Sequence, residues 1–179
     1  RKRELILRGV IEALEEQPEP DLLELAEALL NLGVVRLRNA DPRFQAILER
    51  FEIVARKLPE IEKSQEVAML LRFTEALVAV RAWDPATEMV SQINAIGEPI
   101  QWQGLPYMQV KQLQAKIFLG QGQLNDALPL ASEVFAESEK FYPEDSTFLL
   151  PILKLVGRIE LARGALDSAD RFLSQAREI

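Results

Sequence analysis

The residues in this chain with the most chemistry to offer are its acids. They lie close together at Glu15-Glu16, at Glu24 with Glu27, and at Glu137 with Glu139. Two carboxylates of unequal pKa can divide general-acid and general-base work between them. These pairs fall where exposed helix faces are expected, and the sequence holds no histidine and no cysteine to join them. That double absence removes serine–histidine dyads, thiol nucleophiles, iron–sulfur ligation and ordinary zinc sites. Glu144-Asp145 with Asp126 offers oxygen ligands for calcium, but not in the regular pattern of a calcium loop. Gly120-Gln121-Gly122 lacks the lysine and the preceding strand of a phosphate loop, and reads as a turn between helices. No catalytic residue, cofactor or metal ligand is expected.

Composition narrows the remaining classes. A length of 179 residues suits one compact domain or a short solenoid, with enough chain to bury a core. The net charge of −7 disfavours nucleic acid, whose phosphates require a basic footprint. Val67 to Trp83 is the most apolar stretch, yet Arg72, Glu75 and Arg81 interrupt it, so no membrane insertion is expected. The chain opens on Arg1-Lys2-Arg3 without methionine, which reads as a piece of something longer. Leu5-Ile6-Leu7 meets Arg8 too soon to form a secretory signal. With no signal or spanning segment in this piece, the default compartment is the cytoplasm.

The elements that must position any site are helices. Leu5, Ile6, Val10, Ile11 and Leu14 have helical spacing over 3–16, and Pro18-Glu19-Pro20 ends that segment. Leu22, Leu25, Leu29, Leu32 and Val35 form the stripe of a second helix, from Asp21 to Leu37. Asp41-Pro42 then reads as a cap followed by proline in the first turn, and the second helix of the pair is expected from Phe44 to Leu58. Ser64 is the expected cap of a helix to Ala82, after which Asp84-Pro85 restarts the chain. A linker, Gly97 to Leu105, carries Trp102. Further helices are expected over Pro106–Leu119, Asp126–Phe141, Leu149–Ala162 and Asp167–Arg177. Pro129 argues for Asp126 as a cap, because an interior proline loses a helical hydrogen bond.

The C-terminal third repeats itself. Gly122-x-Leu124-x-x-Ala127 recurs as Gly164-x-Leu166-x-x-Ala169, 42 residues later, and each copy has a small residue seven before its glycine, Ala115 and Gly157. A fixed period of this size marks stacked helix pairs, none of which buries its apolar face alone. The pattern, continued in Leu173 and Ala176, resembles the tetratricopeptide repeat (TPR), in the 42-residue variety of kinesin light chains and many bacterial signalling proteins. The preceding copy departs with Ala131 and Val134, a reciprocal exchange of sizes. An earlier copy around Trp83, Ala86, Val90 and Ile93 has Arg81 in the glycine's place. A first, around Leu32-Gly33, lacks the glycine and runs about one residue long before Ile47.

The resemblance implies an all-α fold, a right-handed superhelix of stacked antiparallel helix pairs. The chain 1–179 is then one repeat domain, with an N-terminal helix and repeats at about 21–58, 64–96, 106–141 and 149–178. It also implies a concave groove lined by the first helix of each pair. Carried onto this sequence, that places Gln109, Gln112, Lys116 and Leu119, then Pro151, Lys154, Arg158 and Leu161, on the groove. The second repeat supplies Ala68, Leu71 and Glu75 with Arg72 alongside, and the first supplies Leu30 and Val34 with Asn31 and Arg38 nearby. The asparagines of the chaperone-binding carboxylate clamp are not present. Lys116, Lys154 and Arg158 would attract an acidic or C-terminal peptide segment. Trp102 and Tyr107 are expected to fold back on adjacent helices or to anchor a partner. The function implied is a non-enzymatic scaffold or adaptor that binds a peptide or partner protein. The alternative is a sensor or regulatory module of a larger signalling ATPase or transcription activator.

Overall fold

The computed structural model describes residues 2–58, 63–97 and 105–179. Among them every regular element is helical: α1 (Lys2–Glu15), α2 (Leu22–Arg38), α3 (Phe44–Ala55), α4 (Lys63–Ala79), α5 (Trp83–Gly97), α6 (Leu105–Gly120), α7 (Leu124–Phe141), α8 (Leu150–Arg163) and α9 (Leu166–Glu178). A 3-10 turn, Thr147–Leu149, leads into α8. The expected all-α class of paired helices is what the chain adopts. Trp102 and most of the Gly97–Leu105 linker lie outside the described residues.

The helices gather into two compact units. One holds α1 to α4 and the part of α5 from Ser91, and the other holds α5 up to Val90 with α6 to α9. In the first unit α2 packs against α1, α3 and α4. Three neighbours explain its composition. Leu25, Ala26, Ala28, Leu29, Leu30, Leu32 and Leu37 are all buried, leaving one polar strip open. In the second unit α6 packs on α7, α7 on α8, and α8 on α9. Ala115, Ala127, Ala131, Val134, Ile152, Val156 and Ile159 form one continuous core there, into which Phe118, Phe135 and Phe172 lean. Phe135 of α7 meets Phe172 of α9 edge to face, with ring centroids 5.5 Å apart. Ala131 and Val134 share that core, so the exchange of sizes in this copy is accommodated.

Each first helix ends in the same left-handed cap. The Gly122 N–H donates to the Leu119 carbonyl (3.2 Å) and the Gln123 N–H to Phe118 (2.8 Å). Gly164 and Ala165 repeat this on Leu161 and Glu160, as do Arg81 and Ala82 on Val78 and Leu77, and Ala40 and Asp41 on Leu37 and Arg36. These paired bonds satisfy the last helical carbonyls and require positive φ at the cap residue. The angles are 53° at Ala40, 61° at Arg81, 77° at Gly122 and 81° at Gly164. The caps stand 41, 41 and 42 residues apart, so the period extends over the whole chain. Side chains at Ala40 and Arg81 pay a steric penalty that glycine avoids, of about 1–2 kcal/mol, while glycine costs about 0.5–1 kcal/mol more chain entropy on folding. Arg81→Gly is therefore expected to stabilise the protein by about 0.5–1 kcal/mol. A urea titration reads this as a higher midpoint, and an unchanged or lowered midpoint would refute it.

Three local expectations need correction. The helix α7 begins at Leu124, with Gln123 as its cap, so Asp126 lies in the first turn and Pro129 lies inside the helix. Pro129 and Asn125 are both exposed, which lets water serve the carbonyl that the proline cannot bond. Asp41 does not cap α3, which starts at Phe44 beyond Pro42 and Arg43. Its carboxylate instead accepts the Arg43 backbone N–H (3.0 Å) and the Arg43 guanidinium (2.6 to 3.0 Å). Those hydrogen bonds pull its pKa down to about 2. Ser64, expected as a cap, lies within α4, which is described from Lys63.

Candidate interaction surface

Each first helix leaves one strip uncovered, and its residues recur at helical spacing. On α2 the strip runs through Glu24, Glu27, Asn31 and Arg38, and on α4 through Ala68, Arg72, Glu75 and Ala79. On α6 it is the exposed Gln109 with Gln112, Lys116 and Leu119 half-buried, and on α8 it is Pro151, Lys154, Arg158 and Leu161, all exposed. The α6 and α8 strips follow the residues implied by the resemblance. On α2 and α4 the middle of the strip lies one residue later: Leu30 and Leu71 are buried, while Asn31 is half-buried and Arg72 exposed. The leucines are claimed by the core because both helices also pack against one another.

Electrostatically the two units differ. In the first, the Arg72 guanidinium donates to the Asn31 side-chain oxygen (3.2 Å) and pairs with Glu27 (3.5 Å). That pair joins α2 to α4 and leaves the strip close to neutral. Arg38, at the end of α2, is exposed. In the second unit, Lys154 and Arg158 sit one turn apart on α8, both exposed, with no hydrogen-bond or ion-pair partner among the described residues. Lys116 is half-buried and partnered. Lys111, one turn before it on α6, pairs with Glu133 of α7 and lies 4.4 Å from the centre of the Tyr107 ring. Partial burial pulls its pKa down, but the hydrogen bonds it donates to Glu133 and Tyr107 outweigh that and raise it. Tyr107 thus lies against its own helix.

The α6 and α8 strips meet at a cavity of about 130 Å³. Met108, Val134 and Ile152 form its apolar lining, Gln109 and Gln112 offer carboxamides, and Pro151 marks the first turn of α8. Tyr142 and Phe148 also line it; their rings stack at 5.0 Å between centroids, and Phe148 is 70% exposed. A volume of this size admits one side chain rather than a whole drug-sized ligand. Sequence reasoning missed Tyr142 and Phe148, because they belong to the connection between α7 and α8 and have no place in helical periodicity. Ser146, whose side chain accepts the Phe148 N–H at 3.3 Å, was the available signal for an ordered turn there.

One acid of each pair considered for catalysis is held in an ion pair: Glu15 with Arg50, Glu27 with Arg72 and Glu137 with Lys140. Among the described residues no three acidic side chains gather into a metal-sized group. None of the described helices is long and apolar enough to cross a membrane.

No family model and no curated protein sequence matches the chain. Two crystal structures do match in fold. One is a kinesin light chain-like protein from Podosopora anserina with nearly identical TPR-like repeats, at a TM-score of 0.75 and 19% identity. The other is its Q17M form, at a TM-score of 0.77 and 19% identity. Each likeness covers 97% of this chain and 83% of the other. At that identity the likeness shows the fold alone: packed helix pairs of the TPR-like kind.

Proposed function

We propose that the chain is a non-enzymatic protein–protein interaction module that holds an extended acidic segment of a partner protein along the open strips of α6 and α8. The observation that carries this reading is the pair of unpartnered cations, Lys154 and Arg158, on the same open strip of α8 as Pro151, which lines the cavity with Gln109 and Gln112. An unpaired, exposed cation is available to a ligand without first breaking an existing ion pair. Carboxamides can meet the N–H and C=O of an extended backbone at once, which fixes a peptide's direction. The cavity then receives one apolar side chain of that segment, while its acids meet Lys154 and Arg158. The TPR-like fold supports the choice of protein as partner, since such folds generally act as scaffolds. The net charge of −7 confines attraction of an acidic ligand to this local patch, because distant acids are screened beyond about 8 Å at physiological salt.

The test is a fluorescence-polarisation titration against acidic peptides carrying one aliphatic or aromatic residue. Exchanging both charges, Lys154→Glu with Arg158→Glu, is expected to weaken binding by about tenfold or more. Raising salt should weaken the wild-type complex but not the variant's, where it screens repulsion instead of attraction. Equal affinities for the two proteins at low salt would refute the assignment. The exposed positions of both residues make a folding defect an improbable source of the loss, and circular dichroism checks this directly.

A further inference from the structure

A second candidate site belongs to the first unit. A cavity of about 320 Å³ opens between α1, α2 and α3. Arg8, Arg36, Arg43 and Arg50 line it, against only two acids, Glu12 and Glu15, over an aliphatic floor. The lining therefore carries an excess of two positive charges in a protein whose net charge is −7. The state of Arg36 is the second observation. Its side chain is 10% exposed, yet its two bonds are long: Nε to Glu4 at 3.3 Å and Nη1 to the Arg43 carbonyl at 3.5 Å. Its Nη2 has no partner among the described residues. A buried guanidinium normally has its donors satisfied, because removing it from water is costly.

The other arginines can turn donors inward. Arg43 grips Asp41 through Nε and Nη2, which leaves Nη1 unspent. Arg50 holds Glu15 through Nη2 alone, in a pair that is about half exposed on both sides. Exposed pairs of that kind are weak and exchange readily for a better anion. Arg8 has no partner among the described residues. Glu4 and Asp41 are not in the lining and pair with Arg36 and Arg43.

We propose that this cavity binds a compact tetrahedral dianion of the phosphate type. Guanidinium forks suit the oxygens of such an anion in bidentate fashion, and the buried Arg36 donor that lacks a partner gains one. The ligand is either free phosphate or the phosphate of a modified side chain, and both present the same chemistry to Arg36.

Thermal unfolding at constant ionic strength tests this, with inorganic phosphate and N-acetyl-phosphoserine amide each exchanged for chloride. Either anion is expected to raise the midpoint in a saturable way, and the one that saturates at lower concentration identifies the source. Arg36 also supports the packing of α2, so the exposed rim positions carry the test. Arg8→Gln and Arg50→Gln are each expected to weaken the apparent affinity by about tenfold, while unfolding cooperatively in chloride. No saturable shift with either anion, or equal shifts in the wild type and both variants, would overturn the proposal.

Discussion

Phe73→Ala is expected to remove about 3–5 kcal/mol of folding stability. Phe73 lies on α4 and is 1% exposed, so its whole ring leaves a cavity in the first unit. The gap cannot close easily, because the facing wall is glycine. A methyl group on Gly33 would stand 3.2 Å from the Phe73 ring and 3.6 Å from Ile47, so α2 approaches α4 as closely as its backbone permits. Domains of this size are stable by about 5–15 kcal/mol, so the loss is a large part of the total. Urea unfolding measures it through the midpoint at constant slope. A loss below about 1 kcal/mol would mean that the ring is not packed as described.

Gly157→Leu is expected to cost about 2–3 kcal/mol in the second unit, for the opposite reason. Even a Cβ at Gly157 would stand 2.7 Å from the Leu173 Cγ and 3.5 Å from the Ala169 carbonyl. Leucine gains somewhat under 1 kcal/mol of helix propensity over glycine, which is too little to offset the crowding. The two helices of the pair must separate, or Leu173 must leave its place. Combining the change with Leu173→Ala should therefore cost less than the sum of the two single changes. Strict additivity would show that Gly157 and Leu173 do not share the space assigned to them.

These two glycines show how much was legible in the sequence. Gly157, Gly164 and Ala169 were recognisable because they keep the residue types that the geometry prefers. The first pair was harder to read, because it solves the same problem with other residues. Ala40 holds the left-handed cap that Gly122 and Gly164 hold later. Two extra residues then delay α3, and Ile47 takes the place that alanine holds in the other pairs, buried against Gly33. Arg81 hides the second cap similarly. Geometry kept the period where residue identity did not.

Counting from the repeat resemblance lands on exposed residues throughout α8, but on α6 it lands on one exposed residue, Gln109, and on the half-buried Gln112, Lys116 and Leu119. On α2 and α4 the same counting pointed at Leu30 and Leu71, because periodicity cannot tell how many neighbours a helix has. The cavity itself could not be read from one helix, since it needs Tyr142 and Phe148 from a connection. The arginine cavity escaped for a related reason: its four guanidiniums come from α1, α2, α3 and the residue just before α3, with no shared motif.

The most direct test of the interaction proposal is amide chemical-shift mapping of the labelled protein during titration with an acidic peptide. The account predicts that the perturbed residues cluster at Gln109, Gln112, Phe148, Lys154 and Arg158, on α6, α8 and the turn before α8. Perturbations confined to α7 and α9, with α6 and α8 silent at saturation, would contradict it.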